Sequence, residues 1–241
     1  MVSVTGRPRG GLSFVGAALA ALAAAGALTG CSTPAAHAPA QASDWHAVAL
    51  PGKRPTLYRT EHHEGRRAMA ARADRSASMW RRHVVRDGQA LGDVEFSWWA
   101  QSMPALGDVS DADRSDAAAR VLFAFGGDTQ QLSARNRMLF DLAQALTGEA
   151  PPFATLVYVW DATAPVDTVI VHPRTDRIRK IVVESGVDGL RQWRHYRRNL
   201  AQDYRRAFGE APGTLQAVAI MTDGDNTQTQ LSTWYGDIEI H

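Results

Sequence analysis

The sequence has 241 residues, of which 26 are Lys or Arg and 25 are Asp or Glu, for a formal net charge of +1. That length suits one domain with a core large enough to fold unaided. A near-neutral chain carries no global field that would draw nucleic acid to it. Its single cysteine, Cys31, excludes an internal disulfide.

The first thirty residues stand apart. Arg7 and Arg9 precede an almost unbroken apolar run over residues 12–28, closed by Leu28, Thr29, Gly30 and Cys31. A positive start, an apolar run and small residues at its end describe a secretory signal. This ending also resembles a bacterial lipobox, in which the cysteine is acylated and becomes the mature N-terminus. A plain signal peptide that happens to contain Cys and a single spanning helix are the alternatives, but spanning takes about twenty apolar residues. The expectation is a signal peptide over residues 1–30 and lipid on Cys31, placing the chain in the cell envelope and facing the periplasm. The outer membrane is favoured, because Ser32 rather than Asp follows the cysteine. Cleavage leaves 24 basic against 25 acidic residues, and only Lys53 and Lys180 are lysines. Residues 31–44, rich in Ala and Pro, read as a flexible tether, and residues 45–241 as a single β-sandwich domain.

From residue 45 the pattern is mostly of strands. Residues 56–60, 67–73 and 78–85 alternate apolar and polar side chains, as half-buried strands do. Residues 92–100 set Val94, Phe96 and Trp98 at alternate positions, and residues 120–125 form a more continuous apolar run that suits a central strand. Residues 153–160, 167–172 and 178–184 continue the series. Two helices interrupt it. Residues 134–147 put Met138, Leu139, Leu142 and Leu146 on one face and stop at Gly148, with Pro151 beyond. Residues 188–208 space Leu190, Trp193, Tyr196, Leu200, Tyr204 and Phe208 at three- and four-residue steps and end at Gly209. The architecture expected is mostly β: an antiparallel β-sandwich of jelly-roll or galactose-binding-like type with one or two peripheral helices.

The chain closes on an apolar strand, the cluster Asp223, Gly224, Asp225, Asn226 and Thr227, and a last strand over residues 234–240. Two carboxylates, an amide and a hydroxyl in one loop can offer oxygen ligands to a hard cation such as calcium, with Asp223 and Asp225 as the metal candidates. The same atoms suit sugar hydroxyls. They are also turn formers whose side chains bond nearby backbone. Asp237, in the last strand, is a further ligand candidate or an edge residue that discourages sheet pairing. Asp74 sits in a small-residue turn where a ligand contact and a tight connection are both plausible. Trp98, Trp160 and Trp234 are candidates for stacking on a sugar ring, with core packing the alternative for each. Arg120 beside Asp116 is an orienting charge for a ligand or a buried pair that stabilises the strand entry. The basic and aromatic residues over 191–206 read as a solvated helix face or as a contact for an anionic partner. No zinc-protease helix, nucleophile elbow or phosphate loop is present. Non-catalytic binding of a carbohydrate or envelope glycan therefore leads. A polysaccharide hydrolase or lyase on the same fold, and a calcium-stabilised structural protein, stand as alternatives.

Residues 72–78, 96–98, 116–121, 154–160, 179–186, 198–204 and 221–227, with the closing Trp234, Tyr235, Gly236, Asp237 and Ile238, resemble the bacterial DUF3047 family, a family of unknown function. These segments span nearly all of residues 56–240. One departure is visible: the family often has two adjacent acids before this strand, and here Ser115 precedes Asp116. The last strand is also similar to those that end many carbohydrate-binding jelly rolls, a likeness of fold.

Overall fold

Alternation of apolar and polar side chains sorts thirteen strands into two sheets over residues 44–241, which the computed structural model describes. The signal peptide, Cys31 and all but the last residue of the tether lie outside the described residues. In chain order the strands are β1 (Trp45–Ala49), β2 (Leu57–His63), β3 (Arg66–Asp74), β4 (Ser78–Arg86), β5 (Asp93–Ala100), β6 (Ala117–Phe125) and β7 (Ala154–Asp161). There follow β8 (Val169–Val171), β9 (Ile178–Ser185), β10 (Arg194–Asn199), β11 (Leu215–Asp223), β12 (Gln230–Tyr235) and β13 (Glu239–Ile240). One sheet has the order β1-β4-β11-β6-β7-β9-β8; the other is β10-β5-β12-β3-β2, with β13 on β5. Every pairing is antiparallel except β7 with β9. This is the mostly β, two-sheet architecture that the alternation predicts.

The core lies between the sheets. β6 contributes Val121, Phe123 and Phe125, β7 contributes Leu156, Tyr158 and Trp160, and β5 contributes Val94, Phe96 and Trp98. Each set occupies alternate positions, because successive side chains leave a strand on opposite faces. Phe96 and Tyr158 stack across the gap, 5.5 Å apart and 10° from parallel.

Helix α1 (Ala134–Thr147) has the bounds expected from its pattern and ends on Gly148, left-handed at φ 73°. The packing face differs from expectation. Asn136 is buried and Leu139 and Phe140 are half-buried, whereas Met138, Leu142 and Leu146 are exposed. The second expected helix is half strand. Residues 194–199 form β10 against β5, and only Leu200–Phe208 is helix α2, capped by Asn199, whose side chain accepts from the Gln202 N–H at 3.0 Å. A run with Tyr196 at one alternate position and basic residues beside it satisfies a two-residue period as well as a three-to-four one. The free edge of β5 decides for the strand by supplying a partner for each backbone group.

A buried hydrogen-bond knot ties one sheet to the other. The Tyr235 hydroxyl, from β12, donates to Met221 O at 2.7 Å, accepts from Arg120 N at 3.3 Å and meets Thr222 Oγ1 at 2.8 Å. Thr233 Oγ1 donates to Ala118 O at 2.7 Å. These bonds fall where the β11 register shifts between Met221 and Asp223, so they satisfy backbone groups that an irregular ladder leaves over. Tyr235→Phe leaves those groups short of a buried partner. Urea unfolding should then show a loss of about 1–3 kcal/mol; a loss within a few tenths of a kcal/mol would show that the knot does not hold the sheets.

Candidate functional site

The residues predicted around the terminal acidic cluster do come together, on the outer face of the seven-stranded sheet. β6 carries Arg120 and β11 ends in Asp223; Arg120 Nη2 lies 3.1 Å from Asp223 Oδ2, and both side chains are nearly fully buried. Arg120 also donates to Ser115 O, and Asp223 Oδ1 accepts from Ala117 N at 3.1 Å. Asp116 accepts from the backbone N–H groups of Asn226 and Thr227, at 3.2 and 2.6 Å, and from Thr227 Oγ1 at 2.7 Å. Asn226 Nδ2 donates to Ala112 O at 3.3 Å, and Asp225 is ion-paired with Lys53. Gly224 is required in the turn, since a Cβ there would stand 2.3 Å from Thr229 O. Asp116, Arg120, Asp223, Asn226 and Thr227 thus direct the bonds named here to one another and to residues 112–117, while Asp225 is taken by Lys53.

Each of Asp116, Asp223 and Asp225 offers a carboxylate oxygen within 4.8 Å of the others. Cationic side chains already reach two of them, so an added cation would compete with Lys53 for Asp225 and with Arg120 for Asp223. Burial pushes the Asp223 carboxyl up to about 6, and the neighbouring Asp116 and Asp225 act in the same direction against Arg120. Lys180 of β9, 1% exposed, donates to Val109 O and, at 2.9 Å, to Ser115 Oγ. Burial, helped by Arg120, lowers its ammonium to about 7.

The remaining predicted residues disperse. Asp74 stays at the solvent edge, bonded to Gln230 Nε2 at 3.0 Å and to Arg75 Nε at 3.1 Å, contacts that hold its carboxyl below the usual range. Trp98 and Trp160 are wholly buried, which corrects their assignment as stacking platforms. Their indole N–H groups are consumed by Tyr196 Oη at 3.0 Å and Gly186 O at 2.9 Å. Trp234 lies on the outer face of the six-stranded sheet but is only 8% exposed, because His63 stacks on it at 3.7 Å and 9°. Its indole N–H donates to Glu61 Oε1 at 2.6 Å. None of the three offers a free aromatic face.

The open feature lies elsewhere. Between β1 and β4 of one sheet and β2 and β3 of the other runs a cleft of about 450 Å³. Trp45, Trp80 and Arg82 line one wall and Arg67 and Met69 the other, with Asp237 and Glu239 in the segment bordering it. Trp80 and Arg82, like Arg67 and Met69, are two residues apart on one strand, so each pair shares a face. Tyr58 stacks on Trp80 at 5.7 Å and is fixed by its hydroxyl donating to Ser78 O at 2.6 Å. The Arg82 guanidinium lies 5.3 Å from the centre of the Trp45 ring. The Trp80 indole N–H and the Arg82 Nε–H are both buried without a hydrogen-bond partner in the protein. Orphaned buried donors are uncommon and costly. Of the predicted residues only Asp237 reaches this cleft. Its indoles and arginines were missed because their sole sequence signal is ordinary strand alternation.

The fold and these sites define a two-sheet β-sandwich with an aromatic, charge-lined cleft open between the sheet edges. The chain belongs to the DUF3047 family, whose model, described as a protein of unknown function, matches residues 43–239. No curated protein matches the chain. Among solved structures it is similar to the family 11 carbohydrate-binding module of the cellulosomal cellulase Lic26A-Cel5E of Clostridium thermocellum, at 8% identity, covering 82% of this chain and 86% of that one with a TM-score of 0.40. It is also similar to the xyloglucanase domain of NopAA, a type three effector from Sinorhizobium fredii, at 7% identity, 82% and 92% coverage and a TM-score of 0.44. The family 11 xylanase of Neocallimastix patriciarum matches at 9% identity, 83% and 96% coverage and a TM-score of 0.33. None is close enough in sequence or trace for its residues to be matched to this cleft.

The buried acid gives a signed pH dependence. With Asp223 near 6 in the folded chain and near its ordinary 3.8 when unfolded, the folded state holds the extra proton between those values. The contribution of Asp223 to stability therefore falls as pH rises from about 4 to 6 and levels off above. Unfolding free energies of the wild type and Asp223→Asn, measured across that range, should differ by an amount that changes in this direction. Parallel curves would show that Asp223 titrates as an ordinary carboxylate.

Proposed function

We propose that this is a lipid-anchored cell-envelope protein that binds a glycan, without catalysis, in the cleft between the two sheet edges. The observation that carries the reading is the open cleft itself, lined by the half-buried side chains of Trp45, Trp80 and Arg82. A sugar ring has an apolar C–H face and a rim of hydroxyls. Indole rings suit the face, and the charged side chains along the cleft suit the hydroxyls. Arg67, Asp237 and Glu239 complete a mixed set of donors and acceptors along the cleft. On this reading Asp237 is a ligand contact, while Asp116, Arg120, Asp223, Asn226 and Thr227 hold the scaffold. The anchor is Cys31, which places the domain in the periplasm, with the outer membrane favoured.

Titration of the protein with oligosaccharides from envelope and plant polysaccharides tests this. A binding glycan should lose about tenfold in affinity with Trp45→Ala, equivalent to about 1.4 kcal/mol, while Trp234→Ala leaves binding unchanged. Equal affinity of wild type and Trp45→Ala would remove the cleft from consideration. For the anchor, Cys31→Ser should move the protein from the membrane fraction to the soluble one.

A further inference from the structure

Helix α1 lies across the outer face of the seven-stranded sheet, held at both ends by side chains rather than by a broad apolar seam. At its start Asn136 Nδ2 donates to Asp176 Oδ1 at 2.5 Å and Asn136 Oδ1 accepts from Thr175 Oγ1 at 2.9 Å, next to β9. Just past its end, Glu149 forms a two-point contact with Arg81 of β4, at 2.9 and 3.1 Å. Between these ties, Leu139, Phe140 and Ala143 turn inward over a void of about 180 Å³. The adjoining side carries Met138, Leu142 and Leu146, which are 63%, 53% and 65% exposed. Four-residue spacing sets them in one row, about 12 Å long at the helical rise. The apolar face of the helix is therefore broader than the sheet covers, and this row is the uncovered part.

The position of this row says what covers the other. Arg81 Nη2, which holds Glu149, also lies 3.4 Å from His46 Nε2. His46 is on β1, the edge strand on which the described chain begins. The C-terminal end of α1 is therefore one guanidinium away from the point where the chain runs back towards Cys31. The twelve residues 32–43 span at most about 40 Å. A bilayer that holds the lipid of Cys31 is thus within reach of the exposed row. Arg135, exposed on the first turn of the helix, adds a cation of the kind that settles among lipid headgroups beside an apolar stripe.

We propose that Met138, Leu142 and Leu146 of α1 rest on the lipid bilayer that carries the anchor, so that α1 is a second membrane contact and fixes the orientation of the sandwich. This rests on the lipid-anchor reading of Cys31. A bilayer under α1 sets the outer face of the seven-stranded sheet against the membrane.

The acylated protein carries no other cysteine, which permits a single spin label at Leu142→Cys, or at Gln202→Cys on the exposed side of α2 as a control. Each is placed on vesicles of phosphatidylethanolamine and phosphatidylglycerol. The account expects the Leu142 label to favour collisions with oxygen over those with an aqueous nickel chelate by severalfold more than the Gln202 label does. It also expects that difference to vanish without vesicles. Vesicle-bound protein with equal water access at the two labels would overturn the docking and leave the anchor standing. Protein that stays in solution would overturn both. Protection at Leu142 that persists without vesicles would assign the row to a second copy of the chain and overturn the docking.

Discussion

The hydroxyl of Tyr235 is where the two sheets are joined. Its three hydrogen-bond contacts reach Met221, Thr222 and Arg120 from a strand of the opposite sheet. Burial raises the phenol well above its ordinary range, so it stays protonated as a donor. Tyr235 also borders the cleft. The knot closes the sandwich at that point, and beyond it β1 and β4 part from β2 and β3, with Tyr58 of β2 bridging to Ser78 and Trp80 of β4. Trp45, Trp80, Arg67 and Arg82 occupy this gap without filling it. The cleft is the consequence of a sandwich tied at its middle and open along one edge.

The charged assembly on the outer sheet face serves the same end. A buried guanidinium and carboxylate cost several kcal/mol to desolvate unless they find partners; Asp223 finds them in Ala117 N and Arg120, and Arg120 in Ser115 O and Asp223, although its Nε–H is buried without one. Asp116 meanwhile fastens the 224–229 turn to the loop that precedes β6. These polar residues are concentrated in sequence because a turn needs them. They are concentrated in space because two loops must be held to one sheet.

Much of the fold was legible beforehand. Strands β3 to β5 follow from alternation and β6 from its continuous apolar run, and Gly148 and Gly209 mark the helix ends because both take the left-handed conformation that glycine permits. Strand β10 was not legible, since Tyr196 and its basic neighbours fit two periods and only the edge of β5 chose between them. Arg120 reads in sequence as an orienting charge or as the partner of its neighbour Asp116; the structure gives it to Asp223 instead and gives Asp116 to the 224–229 turn, because the β11 strand end lies beside β6. The cleft was not anticipated. Whether a tryptophan on an alternating strand faces the core or a gap depends on where the sheets part, and nothing local in residues 45, 80 or 98 encodes that. The same limit applies to α1: its row of leucines signals an apolar face, but not whether the sheet or something outside the domain covers it.

The central claim is that a glycan enters the cleft and packs against its indole rings. Each of the seven tryptophans has an indole N–H that a nitrogen-15 spectrum resolves, and these groups differ in what they bond. Titrating the labelled protein with a binding oligosaccharide should move the Trp80 and Trp45 indole signals. Those of Trp98 and Trp160, bonded to Tyr196 and Gly186, should stay in place. Movement confined to Trp99, Trp193 and Trp234 would place the ligand on the outer face of the six-stranded sheet and contradict the account.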